Sequence, residues 1–209
     1  MDAIKNFWQW FEANNKAYLF LAEVDEDKKE EMLDAVLTHL QACSDKLFFQ
    51  IGGFEDGDQE LVITAEGDIA SFPLVESIIA AAPVIPGWQF VPFIQPSEED
   101  FAMDYDGVQL SSEDLLFLPL EHEEIDNNIG IYVCVPNYDV LKKHEWLEQA
   151  VYQIIDKIVG EKSFALDIDY IGIGEKTDDA EDDEYMELYE LPDYIAEHKE
   201  KFPRKPKTA

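Results

Sequence analysis

Asp167 and Asp169 stand two residues apart in the run Phe164 to Tyr170, where Phe164, Leu166, Ile168 and Tyr170 alternate with Ala165, Asp167 and Asp169. Alternation of this kind predicts a strand with one buried face, and it puts the two carboxylates on the other face, about 7 Å apart. Such a pair suits acid/base chemistry at a sugar or ester, or one side of a divalent-ion site. A solvent-facing row of acids is the plainer account, because no third group is specified by the sequence. His144 and Glu148 are spaced i, i+4. On a helix they would share a face and offer two metal ligands, half of what a structural zinc site uses. The plainer reading is a hydrated helix face.

Other fragments of known chemistry are incomplete. His122 and Glu123 begin a zinc-protease helix, but Asp126 stands where the second His is required. Asp178, Asp179, Asp182 and Asp183, with Glu181 and Glu184, form an acidic run without the glycine and final glutamate of a calcium-binding loop. That run would hold cations loosely or meet a basic protein surface. Gly172 and Gly174 in YIGIGE lack the third glycine and the following helix of a dinucleotide site. No cofactor is therefore expected. Cys43 and Cys134 have no CxxC partner, and neither falls in a recognised nucleophile motif. Trp10 falls beside the helix face that holds Trp8 and Phe11, which marks it as a candidate contact residue.

These residues need elements to place them. Ile4, Phe7, Trp8 and Phe11 recur at helical spacing, and Leu33, Val36, Leu37 and Leu40 do so after a capping-box pair, Asp27 and Glu30. Two helices are expected first. Residues 47–54 and 60–66 then read as a hairpin, Ser71 as the cap of a short helix ending near Pro83, and 88–93 as a strand. Residues 101–110 form a small hairpin turning at Asp106 and Gly107. Strands over 115–120 and 129–135 follow. A helix capped by Asp139 carries Leu147, Val151, Ile154, Ile155 and Ile158 to Gly160, and the strand of Asp167 closes the series. The order β-β-α-β thus occurs twice, over 47–94 and 115–172, without a residue-by-residue repeat. The expected fold class is α+β: a single domain with a mixed, largely antiparallel sheet from two β-β-α-β units, two N-terminal helices and a C-terminal helix. The expected boundaries are a core over 1–174, an acidic loop over 175–190, a helix over 191–202 and a basic tail over 203–209.

Charge sets the functional classes. The 209 residues hold 15 Lys and Arg against 47 Asp and Glu, a formal net charge of −32. A body of that sign repels phosphate backbones and anionic lipid, so neither direct nucleic-acid binding nor a membrane surface is expected. Apolar stretches are far below the ~20 residues of a membrane helix, and the first residues lack the basic start of a secretory signal. A cytoplasmic protein of bacterial type is the expectation. With 46% hydrophobic and 12% aromatic residues the chain has the material for a folded core. Net charge by itself explains solubility, or adaptation to salt or cold, as readily as it explains a partner.

The segments FWQWFE, ELVITAEG, AAPVIPGWQFVPF, SSEDLLF, IGIYV and IIDKIVGE together resemble a family of uncharacterised bacterial proteins, a domain of unknown function, across residues 7–172. The resemblance implies one structural domain and carries over no catalytic set. Two functions of different kinds are open. The first is a non-enzymatic binding or regulatory protein whose acidic surface engages a basic protein partner. The alternative is a hydrolase or metal-dependent enzyme using carboxylates such as Asp167 and Asp169.

Overall fold

The computed structural model of the chain describes residues 2–19, 21–53, 57–97, 101–105, 108–120, 129–177 and 184–203. They form an α+β fold with mixed, largely antiparallel strand pairing. The chain divides into two compact units, residues 1–94 and 95–209.

The first unit opens with α1 (Asp2–Asn14) and α2 (Glu26–Gln41). Phe7, Trp8 and Phe11 are the buried stripe of α1, as their spacing requires. The cap of α2 is Asp25, whose carboxylate accepts from Lys28 N at 3.2 Å, rather than the expected Asp27. Strands β1 (Phe48–Gly53) and β2 (Gln59–Thr64) pair antiparallel, α3 (Phe72–Ala80) crosses over, and β3 (Trp88–Pro92) returns parallel to β2. Ser71 directly precedes α3, but its hydroxyl bonds Asp68 instead of capping the helix. Trp8 ties the unit together: its indole N–H donates to Ile78 O of α3 at 2.8 Å, and its ring meets Phe90 of β3 edge-on at 4.6 Å.

The second unit repeats this order. After a hairpin of β4 (Ala102–Tyr105) and β5 (Val108–Ser111), strands β6 (Leu116–Leu120) and β7 (Ile129–Cys134) pair antiparallel. Helices α4 (Tyr138–Leu141), α5 (Leu147–Val159) and α6 (Glu161–Asp167) lead to β8 (Ile168–Gly174), which lies parallel to β7. Both units therefore consist of an antiparallel hairpin whose second strand receives a parallel strand after a helical crossover. The core gathers Phe117, Ile131 and Val133 of the sheet with Leu147, Val151, Ile154 and Ile155 of α5.

Three expectations are corrected here. The helix predicted from Asp139 is two helices, α4 and α5, joined by an elbow at residues 142–146. Prolonging α5 backwards would put Lys143 and His144, four and three residues before Leu147, into its apolar stripe, so the break keeps them out of the core. Residues 161–167 are helix and not strand. The turn between α5 and α6 uses Gly160 at φ +78° and ψ 150°, a backbone region open to glycine alone. Residues 186–190 belong to the second unit instead of an acidic loop. Met186–Glu187 is strand β9, paired with β6, and the 3-10 turn after it buries Leu188 completely. The final helix α7 (Leu191–Lys201) then docks Leu191 and Ile195 in the core, with Tyr194 against Phe117 at 5.7 Å.

Candidate functional site

The change from strand to helix at 161–167 dissolves the predicted carboxylate pair. Asp167 ends α6 with its side chain 6% exposed, receiving Ser163 Oγ at 2.7 Å and Lys199 Nζ of α7 at 2.5 Å. Asp169 lies in β8 and is exposed. A helix terminus and a strand do not share the two-residue period of a strand face, so the two acids have no common surface to act from. Asp167 fastens α7 to the rest of the unit.

His144 and Glu148 are brought together, though not on one helix. His144 sits in the elbow and Glu148 in the first turn of α5. Both line a cleft of about 350 Å³, together with Tyr138 and Lys142, and Glu145 stands between them. The opposite wall is β8 from Tyr170 to Ile173. The cleft thus runs between the α4–α5 elbow and a strand that is, among the described residues, the end strand of the sheet order β8-β7-β6-β9. Its lining residues are held from outside: Tyr152 Oη donates to Glu148 Oε1 at 2.8 Å, Lys142 pairs with Asp139, and His144 Nδ1 accepts from Trp146 N at 3.4 Å. Tyr170 is 57% exposed.

Gly172 and Gly174 have a purpose unrelated to phosphate. Tyr132 of β7 is in register with Gly172, and its ring lies across β8. A Cβ built on Gly172 would come within 2.8 Å of Tyr132 Cδ2, and one on Gly174 within 2.6 Å of Tyr132 Cζ. The phenol then donates to Glu175 O at 3.3 Å, which carries the ring past the end of the strand. Burial pushes the Tyr132 hydroxyl pKa above its ordinary value.

The remaining candidates are structural or lie elsewhere. Trp10 is stacked on His39 of α2 at 4.1 Å with Tyr18 edge-on at 6.2 Å, so it bridges two helices and is half-buried. His198 stands between Tyr194 and Phe202, and burial lowers its pKa. Cys43 and Cys134 are free thiols, and burial raises both pKa values, the reverse of what a nucleophile needs. His122, Glu123, Asp178, Asp179, Asp182 and Asp183 fall outside the described residues. Among the described residues no three His, Cys, Asp or Glu side chains converge to hold a metal ion, and no helix is long and apolar enough to cross a membrane.

Sequence reasoning missed Tyr138, Glu145 and Tyr170. Tyr170 was expected on the buried face of a longer strand, a consequence of reading 164–170 as continuous. The signal against that reading is the composition of EKSFALD after Gly160, five of whose residues, Glu161, Lys162, Ala165, Leu166 and Ser163, tolerate or favour helix. No family model, curated protein or solved structure matches the chain.

Proposed function

We propose that the protein is a non-enzymatic binding or regulatory protein that engages a basic protein partner, and that the cleft between the α4–α5 elbow and β8 is where the partner is gripped. The observation that carries this reading is the company in the cleft: two phenol rings, Tyr138 and Tyr170, beside the carboxylates of Glu145 and Glu148, on a chain of net charge −32. Aromatic faces attract ammonium and guanidinium groups, and carboxylates complete their neutralisation. The one lysine of the cleft wall, Lys142, is partnered by Asp139 and so adds little opposing field. Long-range attraction by the acidic body accelerates the encounter, and the cleft supplies the selective contact.

The test compares two variants of equal charge. Glu145→Lys/Glu148→Lys reverses the cleft, while Glu30→Lys/Asp34→Lys reverses two exposed acids on α2. Isothermal titration of a lysine-rich peptide at 50 mM salt is expected to weaken at least about tenfold in the first variant and less than about twofold in the second. Equal loss in both variants would reduce the attraction to bulk charge and sink the cleft reading.

The enzymatic alternative has no comparable support. Asp167 is held by Ser163 and Lys199, and Asp169 is exposed on another element.

A further inference from the structure

Strand β8 is seven residues long, whereas β9 at the opposite end of the same sheet has two. End strands of soluble proteins are ordinarily kept short, interrupted by proline, guarded by lysine or covered, because their outer row of N–H and C=O groups pairs with any extended chain. β9 follows that practice. β8, with the sequence IDYIGIG, has neither proline nor lysine; its one charged residue, Asp169, is negative and sits at a bulge, which leaves Tyr170 to Gly174 as the regular, unguarded stretch. Its outer neighbour across the cleft is the α4–α5 elbow, and the space between them is about 350 Å³.

Past a bulge at Asp169, residues Tyr170 to Gly174 pair with β7 in unbroken register. Tyr132 lies over Gly172 and Gly174 and is tied to Glu175 O, so the last half of β8 is braced on one side by a ring. Ile171 and Ile173 are anchored on the other side in the core. Between these two supports, Tyr170 to Ile173 form the strand wall of the cleft. Exposed acids border it at both ends, Asp169 before and Glu175 after, and the cleft's other wall carries Glu145 of the elbow and Glu148 of α5.

Resting on the binding function above, we infer that the occupant is an extended, lysine- or arginine-bearing segment of the basic partner, which adds to β8 as a further strand of the sheet. Backbone pairing with β8 supplies register, and alternate side chains point to opposite sides of the added strand. One basic side chain per repeat of two enters the cleft toward Tyr138, Tyr170, Glu145 and Glu148. The flanking acids Asp169 and Glu175 select further positive charge along the same segment. An acidic or proline-rich segment is rejected, the first by charge and the second by its missing donors.

The experiment uses the full chain and ten-residue peptides alternating lysine with threonine, titrated calorimetrically at 50 and 300 mM salt. Two peptides of identical charge are N-methylated on alternate residues, one set on the odd positions and one on the even. Strand addition uses the donors of one edge only, so one methylated peptide is expected to bind at least tenfold more weakly and the other within about twofold of the parent. Tyr170→Ser, at an exposed position, is expected to weaken the parent peptide severalfold. Equal binding by both methylated peptides, with salt-sensitive binding to the parent retained, overturns strand addition and leaves the binding function standing. No binding of any lysine peptide overturns both. A photocrosslink from position 145 to residues 204–209 in the absence of peptide would assign the cleft to the chain's own basic end and overturn the assignment to a partner.

Discussion

Two cases show how position converts an ordinary residue into a constraint. At Gly174 and Gly172 the hydrogen that replaces a side chain is what admits Tyr132. Alanine at either position forces the ring off β8, so each substitution is expected to cost about 1–3 kcal/mol in urea unfolding, the ordinary cost of overpacking. In a Tyr132→Ser background the same substitutions are expected to cost less than half as much, and the double-mutant cycle measures the difference. Asp156 of α5 is the second case: burial, reinforced by the negative charge of Glu161, raises its pKa from 3.8 to about 6. A carboxyl whose folded pKa exceeds its unfolded value penalises the folded state once it ionises. That penalty is absent below about pH 4, grows between pH 4 and 6, and is complete above 6. Asp156→Asn is therefore expected to stabilise the chain at pH 7.5, by about 1 kcal/mol once solvent screening is allowed for, and to gain nothing at pH 4. Chemical denaturation at the two pH values checks it.

At the scale of elements, the clearest lesson concerns α6 and α7. The apolar stripes of α1 and α5 were legible because each is 13 residues long, enough turns for a period of 3.6 to stand out. α6 has seven residues and buries Glu161 and Asp167 at its ends, so its pattern reads as the alternation of a strand. The same error removed the cleft from view. Its elbow wall and its strand wall are separated by more than twenty residues of α5 and α6, and no local spacing reports that they meet. His144 and Glu148 were found for a spacing that does not exist in the fold, and they nevertheless line one site. The helix over 191–202 was legible in the sequence, while the anchoring of Asp167 by Lys199 was not, because an ion pair between elements leaves no periodic trace. Ile195→Ala is expected to cost about 2–4 kcal/mol as a core truncation. Lys199→Met, which leaves the buried carboxylate without its cation, is expected to cost about 1 kcal/mol. Urea melts of both variants measure whether α7 is part of the second unit's cooperative core.

For the whole molecule, the twofold β-β-α-β order was readable from element order alone, because the hairpin turns and the helical stops of both halves are punctuated by Gly, Pro and Asp. Strand pairing was not, since parallel return to the second hairpin strand depends on the handedness and length of the crossover. Net charge acts at this scale as well. With −32 charges on 209 residues the folded chain repels itself, and added salt screens that repulsion within a Debye length of about 10 Å at 0.1 M. The midpoint of thermal unfolding at pH 7 is expected to rise by several degrees between 20 and 300 mM sodium chloride. A fall over that range would show that attractive pairs, such as Lys28 with Glu31, outweigh the repulsion.

The four tryptophans are divided unevenly: Trp8, Trp10 and Trp88 belong to residues 1–94, and Trp146 alone to the rest. Indole emission during unfolding is thus weighted toward the first unit, in which Trp8 and Trp88 are buried at 4% and 6% exposure. Backbone dichroism weights both. The displacement between an emission curve and a dichroism curve in one titration then reads out the difference in stability between the halves, and with the first three indoles replaced, Trp146 in the elbow becomes a built-in optical probe of the cleft.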